Sequence, residues 1–224
     1  MLHKPSLYLS VIAVLKKDAL SELRSRYAFS TLLVFTITAL ASLSMSIGGI
    51  TLQPRLAAAL LWVILFFSAM AGLARIFVQE QDAGTLLTLR IYALPQAVLF
   101  GKMIFNILLL SGLGVVLLPL FLIFFNISVR NWLSLAGVLF LGIIGVAAVS
   151  TLTAAMASQA QGRSALFTVL TFPLILPGFL GAIQLTGAIF AGENLAYEYF
   201  VFLGGYGLVA VAAGSIVFDF LWTG

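Results

Sequence analysis

The sequence predicts an all-α polytopic membrane protein with six transmembrane helices, and three observations lead to this fold class. Six long stretches contain no Lys, Arg, Asp or Glu at all. Charged residues make up 8% of the 224 residues, and the mean hydropathy is +1.19. Soluble domains carry about 25% charge, so a water-soluble globule is excluded. Positive charges also gather in alternate connections between the stretches.

Each charge-free stretch is long enough to cross a hydrocarbon layer ~30 Å thick, which needs about 20 apolar residues in a helix. Ions collect where the chain leaves this layer, because an unpaired ion inside it is costly. We expect a single transmembrane domain over residues 1–224. The predicted spans are 29–50, 56–76, 99–125, 132–157, 164–182 and 198–221.

Residues 6–27 precede the first span and predict an amphipathic helix in the membrane interface. Five residues recur at helical spacing on its less polar face: Ile12, Leu15, Ala19, Leu23 and Tyr27. Three polar residues form another face: Lys17, Ser21 and Arg24. The alternative is a simple cytoplasmic extension of the first span.

The positive charges predict the orientation. Nine Lys and Arg residues lie in the N-terminal segment and in the connections after spans two and four, whereas the other side has only Arg55 and Arg130. Since Lys and Arg gather on cytoplasmic loops, we expect both termini in the cytoplasm. The net charge of +4 is therefore explained by topology, and we expect no nucleic-acid partner.

The fifth span contains Pro173 and Pro177, which each remove a backbone donor and predict a kink. The weakly apolar stretch 182–191 follows it and is too short for another crossing. Two arrangements remain open: a re-entrant hairpin, or one kinked span with a short outer loop.

The connection after span two predicts a short amphipathic helix on the cytoplasmic side, within a coupling segment of residues 79–95. Asp82 is placed to cap this helix, Arg90 interrupts its apolar residues, and Pro95 closes the segment. The helix would transmit force from a soluble partner into spans two and three. The alternative is a solvated loop whose leucines rest on the membrane surface.

Catalytic and cofactor motifs are missing from the sequence. A phosphate-binding loop of the form G-x-x-x-x-G-K-[ST] is absent. Gly101-Lys102 comes nearest, and we interpret Lys102 as an anchor that snorkels to the interface. There is no cysteine, and the one histidine, His3, lies at the terminus, so the sequence offers no persuasive haem ligand. We expect no enzyme, no metal site and no stably bound cofactor.

The coupling segment resembles that of exporter-type ABC permeases. The match is an acidic pair, Glu80 and Asp82, then Gly84-Thr85-Leu86, then Leu94-Pro95. More narrowly, nearly the full chain resembles the CcmB family, the permease-like subunits of the haem-handling ABC complex in cytochrome c maturation. The added match is a Gln161-Gly162-Arg163 turn that leads into Phe172-Pro173 and Leu176-Pro177. The chain departs from many relatives at Leu87, where they have Glu.

The resemblance implies a subunit of the bacterial cytoplasmic (inner) membrane that couples ATP hydrolysis by a partner to haem export or to release of a haem-loaded chaperone. The implied partners are a CcmA-like ATPase, CcmC- and CcmD-like membrane subunits, a second copy of the chain and the lipid bilayer. ATP would bind the partner, and haem contact would be transient. The alternative is an exporter-type ABC permease for a lipid, glycan or drug.

The resemblance also implies which residues matter. The ATPase-coupling residues are Glu80, Asp82, Gly84, Thr85, Leu86, Arg90 and Pro95. The turn and kink of span five comprise Gly162, Arg163, Pro173 and Pro177.

Overall fold

The computed structural model describes residues 6–73, 77, 80, 84–85, 89, 91, 93–158, 163–193 and 197–223, without the side chains of 163–166 and 223. Seven α-helices lie within these ranges. They are α1 (Leu7–Ser25), α2 (Tyr27–Ile47), α3 (Pro54–Leu73), α4 (Pro95–Phe124), α5 (Trp132–Ser158), α6 (Arg163–Ala191) and α7 (Tyr197–Thr223).

Helices α2 to α7 are each long and apolar enough to cross a membrane, which confirms the prediction of six spans. Helices α3 and α5 lie at the centre of the bundle, whereas α2 and α7 lie at its periphery. The start of α3 lies beside the end of α6, where Arg55 approaches Gly187. The start of α4 lies beside the end of α7, where the Gln96 amide donates to the Asp219 carboxylate over 3.5 Å.

The central helices approach closely because a large ring fits over a glycine. The Trp62 ring of α3 lies against Gly142 of α5, and a Cβ atom on Gly142 would stand 2.1 Å from Trp62 Cη2. The Trp62 indole N–H also donates to the Thr186 hydroxyl of α6 over 2.9 Å. One side chain thus holds three helices together, and its polar atom is satisfied inside the apolar bundle.

Helix α6 is one continuous helix that contains both Pro173 and Pro177. It continues to Ala191, nine residues beyond the predicted end of the fifth span at 182. The re-entrant hairpin is therefore not formed, and the single-span alternative holds. A continuous helix satisfies its own backbone groups, whereas a hairpin in the membrane needs protein to cover them.

A rigid corner separates α1 from α2. Arg26 adopts a left-handed backbone conformation with φ 52°, and its N–H donates to the Glu22 carbonyl over 2.6 Å. The Glu22 carboxylate then accepts from the N–H groups of Ala28 and Phe29 over 3.3 and 2.8 Å, which caps the start of α2. Residues 7–25 therefore form a separate helix before the first span. Its location in the membrane interface stays a prediction.

Candidate functional site

The predicted coupling residues are only partly within the described structure. Glu80, Gly84, Thr85 and Pro95 are described, as are Pro173 and Pro177 inside α6. Arg163 begins α6, but its side chain lies outside the description. Four of the predicted residues lie outside it altogether: Asp82, Leu86, Arg90 and Gly162.

Glu80 belongs to a helical turn that Gly84 ends. Gly84 has φ 68°, and the Thr85 N–H returns to the Glu80 carbonyl over 2.9 Å. This bond across a left-handed glycine is the usual way to stop a helix. A side chain added to Gly84 would meet open space, so the backbone conformation explains the glycine.

Beyond Gly84, two backbone hydrogen bonds with the four-residue spacing of a helix join described residues. The Leu89 N–H donates to the Thr85 carbonyl over 3.0 Å, and the Ala93 N–H donates to the Leu89 carbonyl over 2.9 Å. The chain then enters α4 through Pro95, which occupies the first turn. The short coupling helix stays a prediction, because most of residues 86–92 lie outside the description.

Glu80 is the centre of a group of four charges, the charge cluster, formed by Lys17, Asp18, Glu80 and Lys102. The ammonium of Lys102 lies 3.2 Å from a carboxylate oxygen of Asp18 and 3.2 Å from one of Glu80. Lys17 pairs with Glu80 and lies 3.1 Å from Asp18. Two cations and two carboxylates therefore balance, and they tie α1, the coupling segment and α4 together.

Two members of the cluster, Glu80 and Lys102, are shielded from solvent, whereas Lys17 is exposed. Glu80 is 8% exposed and Lys102 is 1% exposed. The prediction that Lys102 snorkels to the interface is wrong, because its ammonium turns into the protein toward two carboxylates. Removing one partner of a buried ion pair costs about 3–5 kcal/mol, since the other charge is left uncompensated. The ion pairs of Lys102 with Asp18 and Glu80 should therefore persist when the coupling segment moves by a small distance.

The environment of Glu80 strongly favours its charged form. Burial alone raises the pKa of this carboxyl, but the charge of Lys102, the hydrogen bonds from Lys17 and Thr85 and the charge of Lys17 lower the pKa to about 2. The Thr85 hydroxyl donates to Glu80 Oε2 over 2.7 Å. For Lys17, burial lowers the pKa, but hydrogen bonding and charge from Glu80 and Asp18 raise it above its ordinary value of 10.5.

An aromatic contact extends the cluster to the last helix. The Lys102 ammonium lies 5.0 Å from the centre of the Phe77 ring, which is a cation–π distance. The Phe77 ring is 6.0 Å from that of Phe218, and Phe218 stacks on Trp222 at 5.1 Å. Residues 77 and 80, on the approach to the predicted coupling helix, thus contact α1, α4 and α7.

The proline-containing part of α6 is held by α7. The Tyr206 hydroxyl donates to the Leu174 carbonyl over 2.6 Å, within the turn between the two prolines. A Cβ atom on Gly178 would stand 2.3 Å from the Tyr206 ring, and one on Gly145 would stand 3.0 Å from it. The ring therefore lies in a notch between α5 and α6, and α7 supports the segment that the prolines weaken.

Apart from Lys102, the buried polar side chains of the described spans are neutral. The Asn106 amide donates to the Thr151 hydroxyl over 2.7 Å, and the hydroxyls of Thr153 and Thr171 are 2.6 Å apart. Each pair joins two neighbouring spans. No group of three or more His, Cys, Asp or Glu residues comes together within the described residues to hold a metal. The charge cluster is therefore the most distinctive arrangement of functional groups in the described part of the chain.

The sequence pattern selects Glu80 but not its partners Lys17 and Lys102, nor Asp18 and Phe77, which contact these lysines. A signal for Lys102 exists in the sequence, because it is a single charge in the apolar stretch Ala97 to Val129. Such a charge is costly unless it is paired, so it predicts an acidic partner. The sequence does not say which carboxylate that partner is.

The fold and the charge cluster define a class of protein: a multi-pass membrane protein whose extramembrane segment is tied to its helices by buried charges. The chain matches the family described as CcmB protein over residues 9–219, and it belongs to that family. No curated protein matches the chain. CcmB proteins are membrane permeases, generally not catalytic themselves. Membership implies a permease subunit of an ABC system for cytochrome c maturation or haem export, which includes an ATPase and other Ccm components.

Proposed function

We propose that the chain couples ATP hydrolysis by a CcmA-like ATPase to haem export, or to release of a haem-loaded chaperone, in cytochrome c maturation. The ATPase would dock on residues 79–95 at the cytoplasmic face of the bacterial inner membrane, where both termini would also lie. CcmC- and CcmD-like subunits and a second copy of the chain would complete the complex. The family match favours this cargo over a lipid, glycan or drug.

The observation that carries the coupling proposal is the burial of Glu80 between Lys17 and Lys102. A docking loop transmits force only if it is attached firmly to the helices that must move. Here the attachment is a four-charge group in which Glu80 and Lys102 are buried, and the contact between Phe77 and Phe218 reinforces it. Pro95 at the start of α4 adds a stiff covalent connection.

Different residues of the coupling segment have different roles in this proposal. Glu80 points inward and is already paired, so we assign it to the attachment rather than to the ATPase surface. Thr85 and Ile91 are exposed and remain candidates for that surface. Asp82, Leu86 and Arg90 are assigned to docking by the family resemblance alone.

The proposal explains how ATP turnover would reach the membrane helices. Closure of two ATPases would displace the docking surface, and Glu80 would carry the displacement to α1 and to Lys102 of α4. Phe77 would carry it to α7. Haem contact with this chain would be transient, so the chain purified without its partners should lack a stoichiometric Soret absorbance.

The test replaces Lys102 by Met in the complete complex with its ATPase. This change leaves Asp18 and Glu80 facing one lysine, and the free energy of unfolding should fall by about 3–5 kcal/mol. We expect the ATPase to co-purify at normal yield, while ATP-dependent release of the haem chaperone falls at least tenfold. Lys16→Met, an exposed lysine of α1, is the matched control and should change neither quantity.

A second variant separates uncoupling from misfolding. The double change Lys102→Met with Glu80→Gln removes one charge of each sign and should recover stability without recovering release. Release at the normal rate in this stable double variant would show that the cluster does not couple ATP turnover. Loss of ATPase binding would instead place Glu80 on the docking surface.

A further inference from the structure

Helix α1 has two dissimilar faces. Its inner face packs tightly on α4, where a Cβ atom on Gly101 would stand 2.8 Å from Val14. The opposite face is rich in exposed apolar side chains, and Leu23, near the C-terminal end of α1, is 72% exposed. Four further exposed apolar side chains extend this outer face: Tyr8, Leu9, Ile12 and Leu20. Such a surface requires an apolar environment to cover it.

Both carboxylates of α1 already have partners, so neither neutralises the exposed cations of this helix. Asp18 pairs with Lys102 and Lys17, and Glu22 caps the start of α2. Lys16, Arg24 and Arg26 are exposed, and among the described residues none of them forms an ion pair with a carboxylate. Lys16, Leu20 and Arg24 follow one another at four-residue spacing, so they lie along one side of the helix. The outer surface of α1 therefore combines exposed apolar side chains with exposed cations.

Arg26 occupies a position where the backbone favours glycine. Its φ of 52° is left-handed, which costs roughly 1 kcal/mol for a residue with a side chain. Arg26 also stands directly before α2, the first membrane span. Its side chain consequently lies where a lipid headgroup would lie if the span begins at the hydrocarbon boundary.

We propose that the corner between α1 and α2 binds an anionic phospholipid. Arg24 and Arg26 would hold the phosphate, while Leu20 and Leu23 would contact the acyl chains. The positive charges of the two arginines favour an anionic headgroup. The exposed apolar side chains beside them favour a lipid over a free phosphate, because a free phosphate has no acyl chains to cover them. This site is independent of the charge cluster and of the proposed ATPase coupling.

The first test measures lipid binding to the full-length protein by native mass spectrometry. Palmitoyl-oleoyl phosphatidylglycerol should bind more tightly than the corresponding phosphatidylcholine, and Arg24→Gln with Arg26→Gly should lower that preference about tenfold. Glycine suits the backbone at position 26, so this variant is expected to fold. The matched control removes two exposed cations from the other end of the bundle, Arg55→Gln with Arg130→Gln, and should keep the preference. Equal binding of both lipids, or an equal loss in the control, would overturn the proposal.

The second test asks what covers the outer face. The chain has no cysteine, so a single nitroxide can be attached at Leu23→Cys in vesicles of phosphatidylcholine with one quarter phosphatidylglycerol. Lipid contact predicts high accessibility to oxygen and low accessibility to a water-soluble nickel chelate, whether or not the ATPase is bound. High chelate accessibility that falls only when the ATPase binds would mean that a protein covers the face, and it would refute the lipid site.

Discussion

At the residue scale, Lys102 is a buried charge in an apolar bundle that nearby carboxylates stabilise. It lies in α4, eight positions into the helix, and has two carboxylates within 3.2 Å. Neither carboxylate is close in sequence, because Asp18 comes from α1 and Glu80 from the coupling segment. The pairing therefore also fixes the relative positions of three chain segments, which a neutral contact would do less specifically.

The depressed pKa of Glu80 predicts a pH dependence of stability. The pKa is about 2 in the folded protein against an ordinary value of 4.5, so the folded state favours the carboxylate. The stabilisation is present above about pH 4.5 and is lost as the pH falls toward about 2. Between pH 5 and pH 3 in detergent, we expect the unfolding temperature to fall more steeply for the parent protein than for Glu80→Gln.

Comparing these two proteins isolates Glu80, because other carboxylates titrate in both. The raised pKa of Lys17 acts at the opposite limit: its stabilisation is present below about pH 10.5 and is lost as the pH rises above that value. Parallel curves for the parent and Glu80→Gln below pH 4.5 would show that Glu80 is not held as a carboxylate by its partners.

At the element scale, glycine notches let large side chains bring neighbouring helices close together within the apolar core. Trp62 lies over Gly142, Tyr206 lies in the notch beside Gly178, and Val14 lies over Gly101. Without a hydrophobic driving force between helices in lipid, association depends on this close packing and on interhelical hydrogen bonds. Glycines with these contacts should be sensitive to substitution, whereas Gly137 of α5, whose added Cβ would have no atom closer than 3.8 Å, should not.

The sharpest case is Gly142→Ala in α5. The added methyl group would stand 2.1 Å from Trp62 Cη2, so the indole must move and weaken its bond to Thr186. We expect a loss of about 1–3 kcal/mol from overpacking, measured as reversible unfolding in mixed micelles. Gly137→Ala is the matched control in the same helix, because its Cβ would lie 3.8 Å from the nearest atom, in Phe200. Equal stability of the two variants would contradict the tight notch.

At the scale of the whole molecule, charge distribution predicts the spans but not the contacts between them. Six charge-free stretches suffice to place six helices, because the cost of unpaired ions in lipid is large and local. The extension of α6 to Ala191 escaped prediction, since two prolines and several polar residues weaken the pattern there. In the candidate site, Glu80 was found from an acidic motif, but its pairing with Lys17 depends on how α1 folds back, which periodicity alone does not encode.

The ion pairs also make a prediction about topology. Lys17 contacts Glu80, so α1 and the coupling segment must lie on the same side of the membrane. The positive-inside rule predicts that this side is cytoplasmic. Cysteines introduced at the exposed Ile91 and Ser21 should react with an impermeant maleimide only in inside-out vesicles. Cysteines at the exposed Thr51 and Ser128, in the connections at the other end, should react only from the periplasmic side. Labelling of Ile91→Cys and Ser21→Cys from opposite sides would separate the two segments that the charge cluster joins, and the attachment on which the proposed coupling depends would then be impossible.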